Sequence, residues 1–108
     1  MSKTKTETES DPVDRDLCSG LVPLYVLRLA DDAPVFGLRL VEGLAQLGYR
    51  ISPGTLYPLL HNLEKKGYLR SEPERKGRAV RRLYRTTKSG RKASSAARRM
   101  GRQMLEGK

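Results

Sequence analysis

The chain has 108 residues, enough for one small domain and one modest core. It carries 22 Lys and Arg against 12 Asp and Glu, and the formal charge of +10 is concentrated, with 14 basic and 3 acidic residues from Arg70 to Lys108. One cysteine excludes an intrachain disulfide, one histidine beside it excludes a zinc site built from His and Cys, and no apolar run is long enough to span a bilayer.

A localised basic excess points to a polyanion, either nucleic acid or an anionic membrane surface. Cys18 has apolar neighbours and reads as a small core residue. The start of the chain lacks a signal-peptide pattern, so a reducing cytoplasm is the simplest compartment. No Gly-rich phosphate loop and no pair of acids at a catalytic spacing is present, which argues against an enzyme and leaves no expected cofactor or metal.

In chain order, residues 1–14 are polar, rich in Ser, Thr and Glu, and predict a disordered tail. Leu17 to Ala30 is apolar on two helical stripes: Leu17, Leu21, Leu24 and Tyr25, then Val22, Val26 and Leu29. Pro23 means that a helix either starts near it or kinks there. A helix apolar on two sides needs two covers, and in so small a chain a partner subunit can be the second. Asp31–Pro34 reads as a loop. Phe36, Leu40, Val41, Leu44 and Leu47 predict a second helix, with Gly48 as its C-cap and Tyr49–Ile51 as a short strand edge.

Ser52 to Gly67 has a helix start, a helix stop and two unlike faces. Ser52 is a good N-cap and Pro53 fits the first helical position. Gly67 follows Lys65 and Lys66 where a left-handed cap is wanted. Leu56, Leu59, Leu60 and Leu63 share one stripe, while Pro58, His61, Asn62 and Lys65 lie opposite, flanked by Thr55 and Tyr57. Short polar groups, one aromatic ring and positive charge on one face suit a major groove, although an ordinary amphipathic surface helix has the same pattern. Two helices joined through a short Gly-containing link form a helix-turn-helix.

After Gly67 the period becomes extended. Tyr68–Glu72 and Val80–Thr86 predict two strands around a basic loop, Pro73–Ala79. A hairpin after a helix-turn-helix is a wing, and Arg75, Lys76 and Arg78 at its tip can reach sugar-phosphate or a minor groove. Thr87 caps a last helix, from Lys88 to about Glu106, with Ala93, Ala96, Ala97, Met100 and Met104 on one face and arginines opposite. Its narrow apolar face suits a helix–helix contact, so it is a candidate dimer arm. The expected fold is thus mostly α with a small β-hairpin: a winged helix-turn-helix over residues 15–87 and a C-terminal dimerisation helix over 88–108.

Ser52-Pro53-Gly54-Thr55-Leu56-Tyr57-Pro58-Leu59-Leu60 followed by Leu63-Glu64-Lys65-Lys66-Gly67-Tyr68-Leu69 resembles the signature of the PadR family of transcriptional regulators. Arg81–Thr87 with Gly90-Arg91, and Phe36-Gly37-Leu38, are similar to flanking parts of that family in the same order. The resemblance implies a homodimer that binds inverted-repeat double-stranded DNA, usually as a repressor. It makes the Ser52 helix the recognition helix, with DNA contacts at Thr55, Tyr57 (on a phosphate), Pro58, His61 and Asn62 and wing contacts at Arg75, Lys76 and Arg78; Ser52, Lys65 and Arg81 complete the candidate DNA-binding set. It implies that the last helix, with help from the first, makes the dimer, and the helical faces read above then offer Leu17 and Leu21 with Ala93, Ala96, Ala97, Met100 and Met104 as the dimerisation candidates. A small-molecule effector at the dimer interface is a further partner in some members. The chain has no Trp and no aromatic residue beyond Lys88, which argues against a ligand stacked between aromatic rings there, although Tyr25 or Phe36 can line a pocket. The rivals are a winged helix that binds only protein, an RNA-binding module, and a membrane-surface helix, the last disfavoured by an apolar face of Ala and Met.

Overall fold

Burial in this chain begins with Val22, Val26, Leu27 and Ala30, which put one side of a helix into the core. The structure, a computed structural model, describes residues 13–107. The expected disordered tail lies outside these residues up to position 12. Asp14, at its end, caps a one-turn helix, α1 (Arg15–Cys18), by accepting from the Leu17 amide. The next helix, α2 (Leu21–Asp32), carries Pro23 in its first turn. There a missing N–H costs no hydrogen bond, so the helix starts near the proline rather than kinking at it. The Val22–Val26 stripe faces inward, while Leu17 and Leu21 are 81% and 59% exposed.

A two-residue strand, β1 (Val35–Phe36), precedes α3 (Gly37–Gln46). Its pairing with the last strand, Val35↔Tyr84 and Phe36↔Leu83, was invisible in the sequence because two residues carry no periodicity. Phe36 is therefore the N-cap of α3, not its first turn. Tyr49–Ile51, expected as a strand edge, pairs with nothing. Tyr49 and Ile51 are buried without joining a sheet among the described residues; the Tyr49 amide donates to the Leu44 carbonyl, and the Arg50 carbonyl accepts from the Arg15 guanidinium. The physical reason is that alternating burial does not require a ladder, and β1 already occupies the free edge. Gly48 has φ +94°, as a position just past a helix end requires.

The next helix, α4 (Pro53–Lys65), begins with Ser52 Oγ accepting from the Thr55 amide at 3.3 Å and Pro53 in the first turn. Pro58 does not end it, because the bond it forfeits lies near the helix start. Leu56, Leu60 and Leu63 are buried and Leu59 half-buried, as their spacing predicts. The strands β2 (Leu69–Lys76) and β3 (Ala79–Thr86) then pair in register from Leu69↔Thr86 to Lys76↔Ala79.

The seven-residue loop expected at Pro73–Ala79 is in fact two residues, Gly77 and Arg78. Gly77 takes φ +60°, which fits the first central position of a type II′ turn. Pro73 is tolerated inside β2 because the sheet order β1-β3-β2 makes β2 an edge, where one N–H of every pair faces outward. Only the hairpin base is buried, through Leu69, Tyr84 and Thr86; every residue from Glu72 to Arg82 is exposed. The ribbon therefore projects from the body.

The last helix, α5 (Lys88–Glu106), is capped by Thr87, whose Oγ1 accepts from the Gly90 amide at 3.0 Å and donates to the Gly67 carbonyl at 2.6 Å. Thr86 Oγ1 donates to the Leu27 carbonyl at 2.7 Å, tying the sheet to α2. The result is a winged helix-turn-helix followed by a long C-terminal helix. Among the described residues no helix is long and apolar enough to cross a membrane.

Candidate nucleic-acid interface

The leucine stripe of α4 fixes which residues it shows to solvent. With Leu56, Leu60 and Leu63 inward, Thr55, Tyr57, Pro58, His61, Asn62 and Lys65 are all exposed, as is Ser52 at the cap. The exposed side mixes a hydroxyl, an imidazole and an amide, and lacks any acid until half-buried Glu64 near its end. Tyr57 is not free in the way the others are. Its hydroxyl lies over Gly37 at the start of α3, where a Cβ would come within 2.5 Å of it. Gly37 thus permits the close approach of α3 and α4, and Tyr57 stays 46% exposed beside the amino end of α3.

The hairpin is held to α4 by polar contacts at its base. Ser71 Oγ donates to Glu64 Oε2 at 2.6 Å and accepts from Arg82 Nε at 3.0 Å. This chain of three side chains links α4 to both strands of the ribbon. Beside it, burial first, then the charges of Glu64 and Tyr57, push the Tyr84 phenol above its ordinary value of 10.0, with Arg82 opposing.

Arg75, Lys76 and Arg78 are exposed at the distal end of the ribbon, as expected. The alternation of the strands divides the remaining arginines. Register places Arg82 and Arg75 on the face shared with Ser71, toward α4. Arg81 falls on the other face, its guanidinium 4.2 Å from the centre of the Phe36 ring. Sequence reading singled out Arg81 and missed Arg82. The signal was present in the strand period, but the register that decides the face was not.

Of the residues expected at a dimer contact, Leu17, Leu21, Ala96, Ala97, Met100 and Met104 are exposed and Ala93 is half-buried. Leu105, which sequence reading left out, is exposed as well. Among the described residues no group of three or more His, Cys, Asp or Glu could hold a metal ion.

A helix-turn-helix that exposes a polar helix face beside a basic projecting hairpin has the build of a transcription regulator. Residues 26–96 match the PadR-like family of transcriptional regulators. The chain is 42% identical over 97 residues to a transcriptional regulator of Mycobacterium tuberculosis, covering 86% of this chain and 91% of that one. It is similar to the crystal structure of a PadR family transcriptional regulator from Eggerthella lenta, at a TM-score of 0.80 and 34% identity, over 85% of this chain and 81% of that one. A transcriptional regulator from Clostridium thermocellum shares the fold at a TM-score of 0.77 and 24% identity, over 87% and 92% of the two chains. This chain belongs to the PadR-like family of transcriptional regulators, whose members act on DNA.

Proposed function

We infer that the chain represses transcription as a homodimer seated on an inverted-repeat duplex in the cytoplasm. One observation carries this reading: the exposed face of α4 and the two-sided basic hairpin are locked together through Glu64, Ser71 and Arg82. Thr55, Pro58, His61 and Asn62 then enter a major groove, with Ser52 and Lys65 on the flanking backbone. Tyr57 meets a phosphate near the amino end of α3. Arg75, Lys76 and Arg78 neutralise phosphates beyond the groove, and Arg82 joins them from the α4 side of the ribbon. Repression needs nothing more than occupancy of the duplex.

Dimerisation rests on where the large apolar side chains are left in water. Leu17 and Leu21 form one patch; Met100, Met104 and Leu105, which are 60%, 72% and 85% exposed, form another on α5. A second copy covers both through a two-fold axis, and two α4 helices then fall in successive major grooves about 34–36 Å apart. Beside the first patch, Cys18, Leu21, Tyr25, Leu44, Leu47 and Tyr49 line an apolar cavity of about 230 Å³. It is the seat that an apolar effector at that interface would use.

Three measurements test the reading. Arg78→Ala lowers the affinity for all duplexes alike and reduces the slope of log K against log salt by about 1. His61→Ala and Asn62→Ala change the preference between a selected operator and random DNA, by about 1–3 kcal/mol per lost base contact. Met100→Glu with Met104→Glu leaves a folded monomer in sedimentation. Equal losses on operator and random DNA for both α4 variants remove base reading, and binding confined to protein leaves the winged helix a protein-docking module.

A further inference from the structure

A second basic site lies at the other end of the hairpin. Register sets Arg70 directly opposite Arg85, on the face turned away from buried Leu69 and Thr86. Like charges paired across a ladder destabilise it, so this arrangement carries a cost in the free protein. Lys88 and Arg91, in the first turn of α5, converge on the same place. Together with Asp31 and Asp32 at the end of α2, these four side chains border an open, largely polar cavity of about 440 Å³.

The nearby acids neutralise only part of the cluster. Asp31 is held by Arg91 at 2.9 Å, and Asp32 lies 3.6 Å from Arg28 one turn back on α2. Glu72 reaches Arg85 only at 4.0 Å, and both are largely exposed to solvent. Among the described residues no carboxylate lies within ion-pair distance of Arg70 or Lys88. The dipole of α5, a helix of 19 residues, adds positive potential at the same end.

We propose that this cavity binds a small, multiply charged phosphate compound, such as a pyrophosphate-bearing metabolite. Arginine guanidiniums grip phosphate oxygens in pairs, and the polar walls offer nothing to an apolar ligand. The site is not part of the expected duplex seat. It lies seven residues from the Gly77 turn, roughly 23 Å along the ribbon, and on the face opposite the one that Ser71 and Arg82 turn toward α4. Arg91 gives the site a consequence. A phosphate that recruits Arg91 competes with Asp31, the carboxylate that ties α5 to α2, so ligand and α5 seating are coupled. That regulatory step rests on the dimer reading above; the binding itself does not.

The test uses the full chain, inorganic pyrophosphate and titration calorimetry with thermal melts at physiological salt. Wild type and Arg78→Ala are expected to bind alike, with a melting temperature that climbs by several degrees as pyrophosphate rises to roughly 100 times its Kd. The double variant Arg70→Gln, Arg85→Gln is expected to bind at least about tenfold more weakly. Its ligand-free melting temperature is expected to be no lower than wild type, because a like-charge pair has gone, so weak binding in it is not a folding failure. The proposal is overturned if wild type does not bind, if the double variant binds equally, or if Arg78→Ala loses binding. Displacement of pyrophosphate by a short duplex also overturns it, since Arg70 and Arg85 would then belong to the DNA seat. Failure of the DNA reading shows separately, in the Arg78→Ala salt titration.

Discussion

The two longest helices, α4 and α5, make an instructive pair. Both start at a hydroxyl N-cap and both carry an apolar stripe opposite a polar one. Yet α4 buries Leu56, Leu60 and Leu63, whereas α5 buries only Gly90 and Ser94 in its first two turns. The helix proposed to meet a duplex is held by its own subunit. The helix with the exposed methionines is anchored at one end and leaves the rest of its apolar stripe uncovered. A capped, amphipathic pattern predicts a helix equally well in both cases; what differs is how much of the apolar stripe the chain itself covers.

The largest break in this comparison comes from Leu60→Ala. Leu60 has no exposed surface, so the cavity left behind costs about 2–5 kcal/mol in denaturant unfolding, whereas Met104→Ala leaves the stability of the dilute monomer almost unchanged. Gly90→Ala comes next. A methyl there runs into the Tyr68 carbonyl and the Thr86 side chain, so the anchored end of α5 must shift at a cost of about 1–3 kcal/mol. Hydrogen exchange will report α5 opening before the core does.

Ser52→Ala removes the side-chain acceptor at the start of α4 and costs about 1 kcal/mol by thermal melt; Ser52→Gly costs only a few tenths. The smallest effect concerns alkaline pH. The fold holds the Tyr84 phenol in its protonated form above its ordinary value of 10.0, so the folded state binds that proton more tightly than the unfolded one. The resulting stability is full below about pH 10 and is lost as pH rises past it. Tyr84→Phe flattens that alkaline decline in melts run from neutral pH upward.

Much of the candidate site was legible in the chain. Ser52-Pro53, the leucine spacing and Gly67 delimit α4 by rules that act within one helix, so its exposed residues followed directly. The basic tip was legible for the same reason, because composition alone marks Arg75, Lys76 and Arg78. Three features were not. The β1 strand needed partners 47 and 49 residues away in sequence. The short turn at Gly77–Arg78 was hidden by Pro73, which reads as a loop residue and is accepted at a sheet edge. The Glu64–Ser71–Arg82 contact joins three residues whose types are common on any surface.

The sequence by itself determined where α4 starts and stops, which of its sides is apolar, and where positive charge gathers, because caps, helical period and composition are local properties. Tertiary structure decided which edge of β3 is paired, which arginines share a face with α4, and that Arg70 and Arg85 are forced together at the hairpin base. Those depend on strand register and on helix seating, where a shift of one residue sends a side chain to the opposite face.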